Sequence, residues 1–316
     1  MSICIIGSGF IGSNLAKKLS KKNIVYLLSK RSIDIRLKNI VTIKTNYTKS
    51  FFLNFFKNKN IKQIFFFSGV PHPNFCHSYE RKIFKVETQV LINLFHSLIK
   101  ENFNGNFFLS STCSVYGNSL VPVKEEEEIN PQTLYSIIKA LSEKIAIFFC
   151  KSSNFKLTII RISSVYGYGL KRQVIFDLFS KFLEKKKKFF IAGSGYEKRD
   201  FINIYDLING IYMISKFESK KKNSFEIYNL GSGEIVNIKK LSKIIKILTK
   251  SKSKISFTKI KNNYNYFSIY PDISKIKKIN FKPTYDIAEG LKEMFLKLTF
   301  EKKYKKLHPT SNEIQY

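Results

Sequence analysis

The chain has 316 residues, 44% of them hydrophobic, with 55 basic against 23 acidic side chains and a formal net charge of +32. That length can bury a large core as one big domain or two smaller ones, and no apolar run approaches the roughly 20 residues of a membrane span. Cys4, Cys76, Cys113 and Cys150 are too widely spaced for a metal site or a disulfide framework, so reduced thiols that mostly pack are expected.

The N-terminus runs directly into a strand, Ser2 to Ile6, with no basic leader or cleavage site, which sets the expectation of a cytoplasmic enzyme. The charge would suit nucleic acid or an acidic surface. Against that, lysine is enriched together with Asn, Ile, Phe and Tyr, while arginine numbers six and tryptophan none. Such a composition follows from A/T-rich codons and spreads charge along the whole chain.

In chain order, strands are predicted at Ile3–Ile6, Ile24–Leu28, Val41–Lys44, Gln63–Phe67, Asn106–Ser110 and Leu157–Arg161. Helices are predicted at Ile11–Lys21, Ser50–Lys57, Tyr79–Lys100 and Leu134–Lys151. The strands are nearly all apolar, as strands covered on both faces should be, and their alternation with helices predicts a parallel sheet with crossovers. The fold class is therefore α/β, a Rossmann-type doubly wound sheet whose ligand lies beyond the carboxyl ends of the strands. After Tyr166-Gly167-Tyr168-Gly169 the alternation fades. A helix over Gln173–Lys188, with Lys185 to Lys188 as its solvated end, leads to a Gly-rich turn and Arg199-Asp200-Phe201. A returning strand follows at Phe225–Leu230, and the acidic run Glu125–Glu128 reads as surface loop. The expected division is a nucleotide-binding domain over residues 1–165, rejoined by that strand, and a smaller C-terminal α/β substrate lobe over 166–316.

Gly7-x-Gly9-x-x-Gly12 follows a strand and opens a helix, the setting in which this fingerprint holds a dinucleotide. Phe10 and Ile11 begin that helix, whose unpaired N–H groups and dipole suit a pyrophosphate. The second strand ends in Ser29-Lys30-Arg31 with no carboxylate to accept from adenosine ribose hydroxyls, which favours NADP over NAD. The plainer alternative is two solvated loop charges in a lysine-rich chain. Asn46, Tyr47 and Ser68, at the ends of the next strands, complete the candidate cofactor contacts.

Tyr-x-x-x-Lys should arise roughly two or three times by chance at this composition. It occurs as Tyr26/Lys30, Tyr135/Lys139 and Tyr212/Lys216. Only Tyr135/Lys139 opens a helix, behind Pro131-Gln132-Thr133, shortly after the Ser110-Ser111-Thr112 strand end. A free phenol titrates near 10, and bringing it close to 7 needs about 4 kcal/mol. A cation about 4 Å away at an effective dielectric of 20 supplies roughly that much. Lys139 can act so on Tyr135, while Thr112 hydrogen-bonds the reacting oxygen.

In these stretches the chain resembles the NAD-dependent epimerase/dehydratase family, the extended short-chain dehydrogenase/reductases related to UDP-glucose 4-epimerase. Ser110 to Gly117 matches Ser-Ser-(Ser/Thr)-x-x-Val-Tyr-Gly, and Pro131, Tyr135, Lys139 and Glu143 match Pro-x-x-x-Tyr-x-x-x-Lys-x-x-x-Glu. Arg161–Gly167, Gly193–Phe201, Tyr228–Gly233 and Asp272–Lys275 continue the series in family order over about 290 residues. The resemblance implies an NAD(P)-dependent enzyme moving a hydride at C4 of a nucleotide-diphospho-sugar, as a 4-epimerase or a 4-ketoreductase. Thr112, Tyr135 and Lys139 would be catalytic, Lys139 would hold the nicotinamide ribose, and Ser164 and Arg199 would meet the substrate. It also implies a homodimer, pairing through Tyr79–Lys100 and Leu134–Lys151. The alternative from another class is a non-catalytic relative that binds NADP or nucleic acid.

The departures are specific. Lys261-Asn262 falls where the family's second nucleotide-contacting arginine is expected, Ser164 replaces an Asn, Asn46 an Asp, and Glu87 an Asn behind the cofactor site. Dehydratases follow the catalytic Thr with Asp-Glu, an acid and a base; here Cys113 and Ser114 follow, so 4,6-dehydration is not expected. Cys113 is one residue away from an epimerising cysteine position, and packing is its expected role.

Overall fold

The computed structural model describes residues 1–33, 35–57, 59–69, 84–184, 187–217, 224–258 and 268–307. Cys76, Lys185, Lys261-Asn262 and the first part of the expected Tyr79–Lys100 helix lie outside these residues.

Among the described residues the central sheet has seven strands. Those from the first half are β1 (Ser2–Ile6), β2 (Ile24–Ser29), β3 (Ile40–Lys44), β4 (Ile61–Phe66), β5 (Asn106–Thr112) and β6 (Lys156–Ile162). With β10 (Phe225–Leu230) they run in the order β10-β6-β5-β4-β1-β2-β3, and every pairing is parallel. This is the Rossmann-type order expected, and it reverses between β1 and β4. A crevice forms at such a reversal because the connections on either side leave in opposite directions.

Helix α1 (Phe10–Leu19) covers one face of the sheet with α6 (Ile204–Lys216), and Leu15, Leu19, Leu207 and Ile211 pack there on Ile3, Ile5 and Phe65. Helices α2 (Lys49–Phe56), α3 (Val90–Lys100) and α4 (Leu134–Lys151) cover the other face. There Phe52, Leu94, Phe95 and Ala146 close on Ile6, Phe66 and Phe107. Both faces are dry, which is why the strands carry unbroken apolar runs.

The expected long helix ending at Lys100 is regular only from Val90. A π-helical turn, Lys85–Gln89, precedes it, and the Thr88 hydroxyl donates to the Phe84 carbonyl at 2.6 Å within that wider turn. Helix α5 (Gln173–Leu183) ends sooner than its pattern suggested. Lys188 opens strand β8 (Lys188–Ala192), which buries Phe189 and Ile191 and pairs with β12 (Lys254–Thr258). The expected solvated helix end is thus corrected at Lys188. A three-stranded sheet, β11 (Ile235–Asn237), β9 (Lys198–Asn203) and β7 (Ser164–Tyr166), is also absent from the sequence reading. Helices α5, α7 (Ile238–Leu248) and α9 (Ile287–Leu307) enclose a second core around Phe179, Phe201, Leu241 and Leu291, and a short α8 (Ser274–Lys277) precedes α9. No helix among the described residues is long and apolar enough to cross a membrane.

Candidate active site

The glycine fingerprint lies at the carboxyl end of β1, beside the strand-order reversal. Gly7 has φ +108°, and a Cβ there would stand 2.5 Å from the Ser68 backbone nitrogen. A Cβ on Gly12 would collide with the Gly7 carbonyl, so that helix α1 seats tightly on the loop only with glycine. At Gly9, by contrast, a Cβ would meet no described protein atom within 4 Å, and Gly9 is the N-cap of α1 with no side chain capping it. The loop is therefore packed where it meets the sheet and open where a pyrophosphate would approach, so these residues fit a dinucleotide.

At the end of β2, Ser29 is buried and its Oγ lies 2.7 Å from Ser8 Oγ while accepting from the Arg31 N–H. Lys30 and Arg31 are exposed, and the Lys30 ammonium lies 5.5 Å over the Tyr47 ring. Tyr47 is buried, stacks on Phe52 and donates its hydroxyl to the Leu28 carbonyl, so it braces the strand ends from beneath; Asn46 beside it is exposed. Ser68 is buried behind Gly7.

Thr112 ends β5, and its Oγ1 accepts the Ser114 N–H at 3.2 Å and lies 3.0 Å from Ser114 Oγ. Tyr135 is in the first turn of α4. The Thr133 side chain accepts from the Ser136 N–H, and the Ser136 hydroxyl accepts from the Thr133 N–H, a reciprocal cap that fixes where this helix starts. One turn on, Lys139 is buried, its Nζ donating to Glu87 Oε2 at 3.0 Å and to the Ser110 carbonyl at 3.4 Å. Burial pulls the Lys139 ammonium down, but Glu87, Tyr135 and Glu143 outweigh it and hold it above the ordinary lysine value. In the other two Tyr-x-x-x-Lys pairs the tyrosines are packed elsewhere: Tyr26 is in β2 against Phe55, and the Tyr212 ring lies under Lys216 within α6.

One turn past Lys139, Glu143 binds Arg161 of β6 with two hydrogen bonds, Nε to Oε1 at 3.1 Å and Nη2 to Oε2 at 2.8 Å, and also accepts from the Ser111 hydroxyl. Arg161 Nη1 donates to Tyr116 OH and the Glu125 carbonyl; Tyr116 donates to Asn229 Oδ1, and Glu125 accepts the Asn229 N–H. Four motif segments and Glu125 of the acidic run thus meet in one buried polar network. Glu125 is correspondingly corrected from surface loop to buried carboxylate, and burial raises its pKa.

Ser164 opens β7 and is half-buried; Arg199, half-buried on β9, is paired through its backbone with Val236 and bridged to Ile269. Asp200 turns inward, accepting from the Ser232 and Gly233 N–H groups at 2.8 and 2.7 Å, and burial raises its carboxyl to about 6 despite those bonds. Cys113 is buried, its thiol donates to the Arg161 carbonyl, and burial pushes it well above the thiol range. A thiol so placed is inert, in keeping with packing. The sequence reading passed over Arg172, the N-cap of α5. Burial lowers its pKa, which Tyr135 partly offsets, and its buried Nε meets no hydrogen-bond partner among the described residues. The scarcity of arginine was the signal that could have found it. A separate cavity of about 570 Å³ opens beside Lys156, Glu226 and Lys275, and none of the residues above except Glu125 lines it.

Residues 3–231 match the sequence model of the NAD dependent epimerase/dehydratase family. A putative UDP-glucose 4-epimerase of Methanocaldococcus jannaschii is 27% identical over 304 residues, spanning 91% of this chain and 95% of that one. The dTDP-4-dehydro-6-deoxyglucose reductase of Escherichia coli is 29% identical over 205 residues, 63% of each chain. Among solved structures, MoeE5 in complex with UDP-glucuronic acid and NAD superposes with a TM-score of 0.87 at 18% identity, over 95% of this chain and all of that one.

Proposed function

Because the chain belongs to the NAD-dependent epimerase/dehydratase family, we propose that it is a nucleotide-sugar 4-epimerase, inverting C4 of a nucleotide-diphospho-hexose. The observation that carries this reading is the contiguity of cofactor loop and proton-transfer pair. Gly7 backs onto Ser68, Gly69 follows, and a Cβ on Gly69 would stand 3.2 Å from Lys139 Nζ, one helical turn from Tyr135. The Methanocaldococcus jannaschii relative named a putative UDP-glucose 4-epimerase spans nearly the whole chain, in keeping with the same reaction.

In this reading Thr112 holds the sugar 4-oxygen, Tyr135 as phenolate takes its proton and later returns it, and Lys139 stabilises the phenolate before and after that exchange. NAD(P), when bound, supplies hydride exchange at C4. Gly7, Gly9 and Gly12 with the start of α1 hold its pyrophosphate, and Ser29, Lys30 and Arg31 meet its adenosine ribose. Ser164 and Arg199 line the substrate side, with Arg199 for the diphosphate. Dehydration is not part of the reading, because Cys113 is an inert thiol and Ser114 is neither acid nor base enough. The active form is a homodimer joined through α3 and α4.

The carboxylate-free Ser29-Lys30-Arg31 strand end favours a second reading, a 4-ketoreductase that prefers NADPH and uses it once. Protein purified without added cofactor and then denatured separates the two. Near-stoichiometric NAD is expected for an epimerase that recycles its cofactor in place. An empty protein that binds NADPH far more tightly than NADH would replace the epimerase reading with the reductase.

A further inference from the structure

We propose that Glu87 is a positioning residue that sets the acidity of the Tyr135 phenol by balancing the charge of Lys139, an inference that rests on the proton-transfer role given to Tyr135. Glu87 is 1% exposed, and a buried carboxylate is costly unless it is paired. Three elements converge to pair it. The π-helical turn Lys85–Gln89 carries it beneath the crevice, Lys139 from α4 donates to its Oε2 at 3.0 Å, and Gly69 after β4 lies against its Oε1. A Cβ at position 69 would collide with that oxygen, so glycine leaves the carboxylate room to stay where it is.

The electrostatic consequence follows from net charge. An ammonium alone beside a phenol favours the phenolate. With a carboxylate in hydrogen-bond contact, the pair presents a dipole rather than a full positive charge, and Tyr135 keeps its proton to higher pH. The remaining charges do not reverse this. Glu143 is occupied by Arg161, Lys85 is exposed on the same turn, and Arg172 reaches Tyr135 from the start of α5 and acts in the same sense as Lys139. The phenolate that takes the proton of the sugar hydroxyl therefore forms at a higher pH than it would beside an unpaired Lys139.

The test titrates the phenol directly, as the difference in tyrosinate absorbance between the protein and its Tyr135→Phe variant as pH rises. Glu87→Gln, in the presence and absence of Tyr135→Phe, is expected to lower the midpoint by about one pH unit or more, as loss of a nearby unit charge should at an effective dielectric near 20. Glu87→Asp keeps the charge and is expected to stay near the parent midpoint. Should Glu87→Gln fail to fold, Glu87→Asn removes the same charge and is read the same way. An unmoved or raised midpoint in the amide variant overturns the proposal. The titration needs no turnover: a parent protein that turns over no nucleotide-sugar defeats the proposed reaction and leaves this measurement standing. In an active enzyme the acid limb of kcat/KM should move down with the midpoint, which a purely structural Glu87 would not cause.

Discussion

Tyr135 and Asp200 are two acids of one chain in opposite electrostatic settings, the phenol beside cations and the carboxyl buried. The phenol needs cations beside it, and Lys139 and Arg172 both lie within its electrostatic reach. Tyr135→Phe is expected to reduce kcat by about 10²- to 10⁴-fold, the usual range for a lost proton-transfer group, while cofactor affinity holds. Near-normal turnover in that variant would remove Tyr135 from the reaction. Asp200 is raised instead, from 3.8 to about 6, because burial disfavours its charged form. Its folded state holds the proton more tightly than the unfolded chain. The resulting stabilisation is complete below pH 3.8 and is lost as pH rises through about 6, an amount near 3 kcal/mol. Denaturant titrations of the parent and of Asp200→Asn should therefore show a stability difference that falls steadily from about pH 4 to pH 7. A pH-independent difference would mean that Asp200 titrates as an ordinary carboxylate.

At the scale of elements, helix α4 is held to the sheet by charge as well as by packing. Its Glu143 and the Arg161 of β6 are both nearly inaccessible, so removing either leaves the other buried and unpaired. Glu143→Ala is expected to cost about 3–5 kcal/mol, whereas Glu143→Leu with Arg161→Met should recover much of that loss, since an apolar pair bears no desolvation penalty. Equal losses in the single and double variants, measured by denaturant unfolding, would show that the network acts through something other than the uncompensated charge. This helix was legible in the sequence because local chemistry determines it: a Thr133 cap, an apolar stripe and a Tyr-x-x-x-Lys-x-x-x-Glu spacing that puts Tyr135, Lys139 and Glu143 on one side. The strands of the central sheet were legible for a similar reason, as apolar runs between turns. The small sheet of β7, β9 and β11 was not. Its strands are three to six residues long and are defined by pairing partners far apart in the chain, such as Ser164 with Phe201 and Ile235 with Asp200. Nor does any sequence period announce the π-helical turn that carries Glu87. The residue stood out only as an unusual carboxylate, and its ion pair with Lys139, 52 residues away, is a property of the folded chain.

Over the whole molecule, the net charge of +32 and the apolar surface make separate predictions. Charge spread over the surface would attract the proposed anionic nucleotide-sugar at long range without orienting it, so kcat/KM should fall as salt is raised while kcat holds. Steeply salt-dependent RNA or DNA binding that persists in Tyr135→Phe would instead favour the non-catalytic alternative. The proposed homodimer would associate through α3 and α4, which lie side by side over one face of the sheet. Helix α4 turns Ile137 and Phe148 outward, 49% and 68% exposed and three turns apart, and α3 adds Ile99 at 38%. Side chains of this size along two adjacent helices form the kind of apolar strip that a second copy can cover about a two-fold axis. Each buried Phe148 would contribute roughly 2–3 kcal/mol, and the symmetry counts it twice. Phe148→Asp is therefore expected to turn a sedimenting dimer into a monomer with an unchanged circular dichroism spectrum, because the side chain is exposed in the single chain. A dimer that survives this substitution at the same concentration would move the interface away from α4.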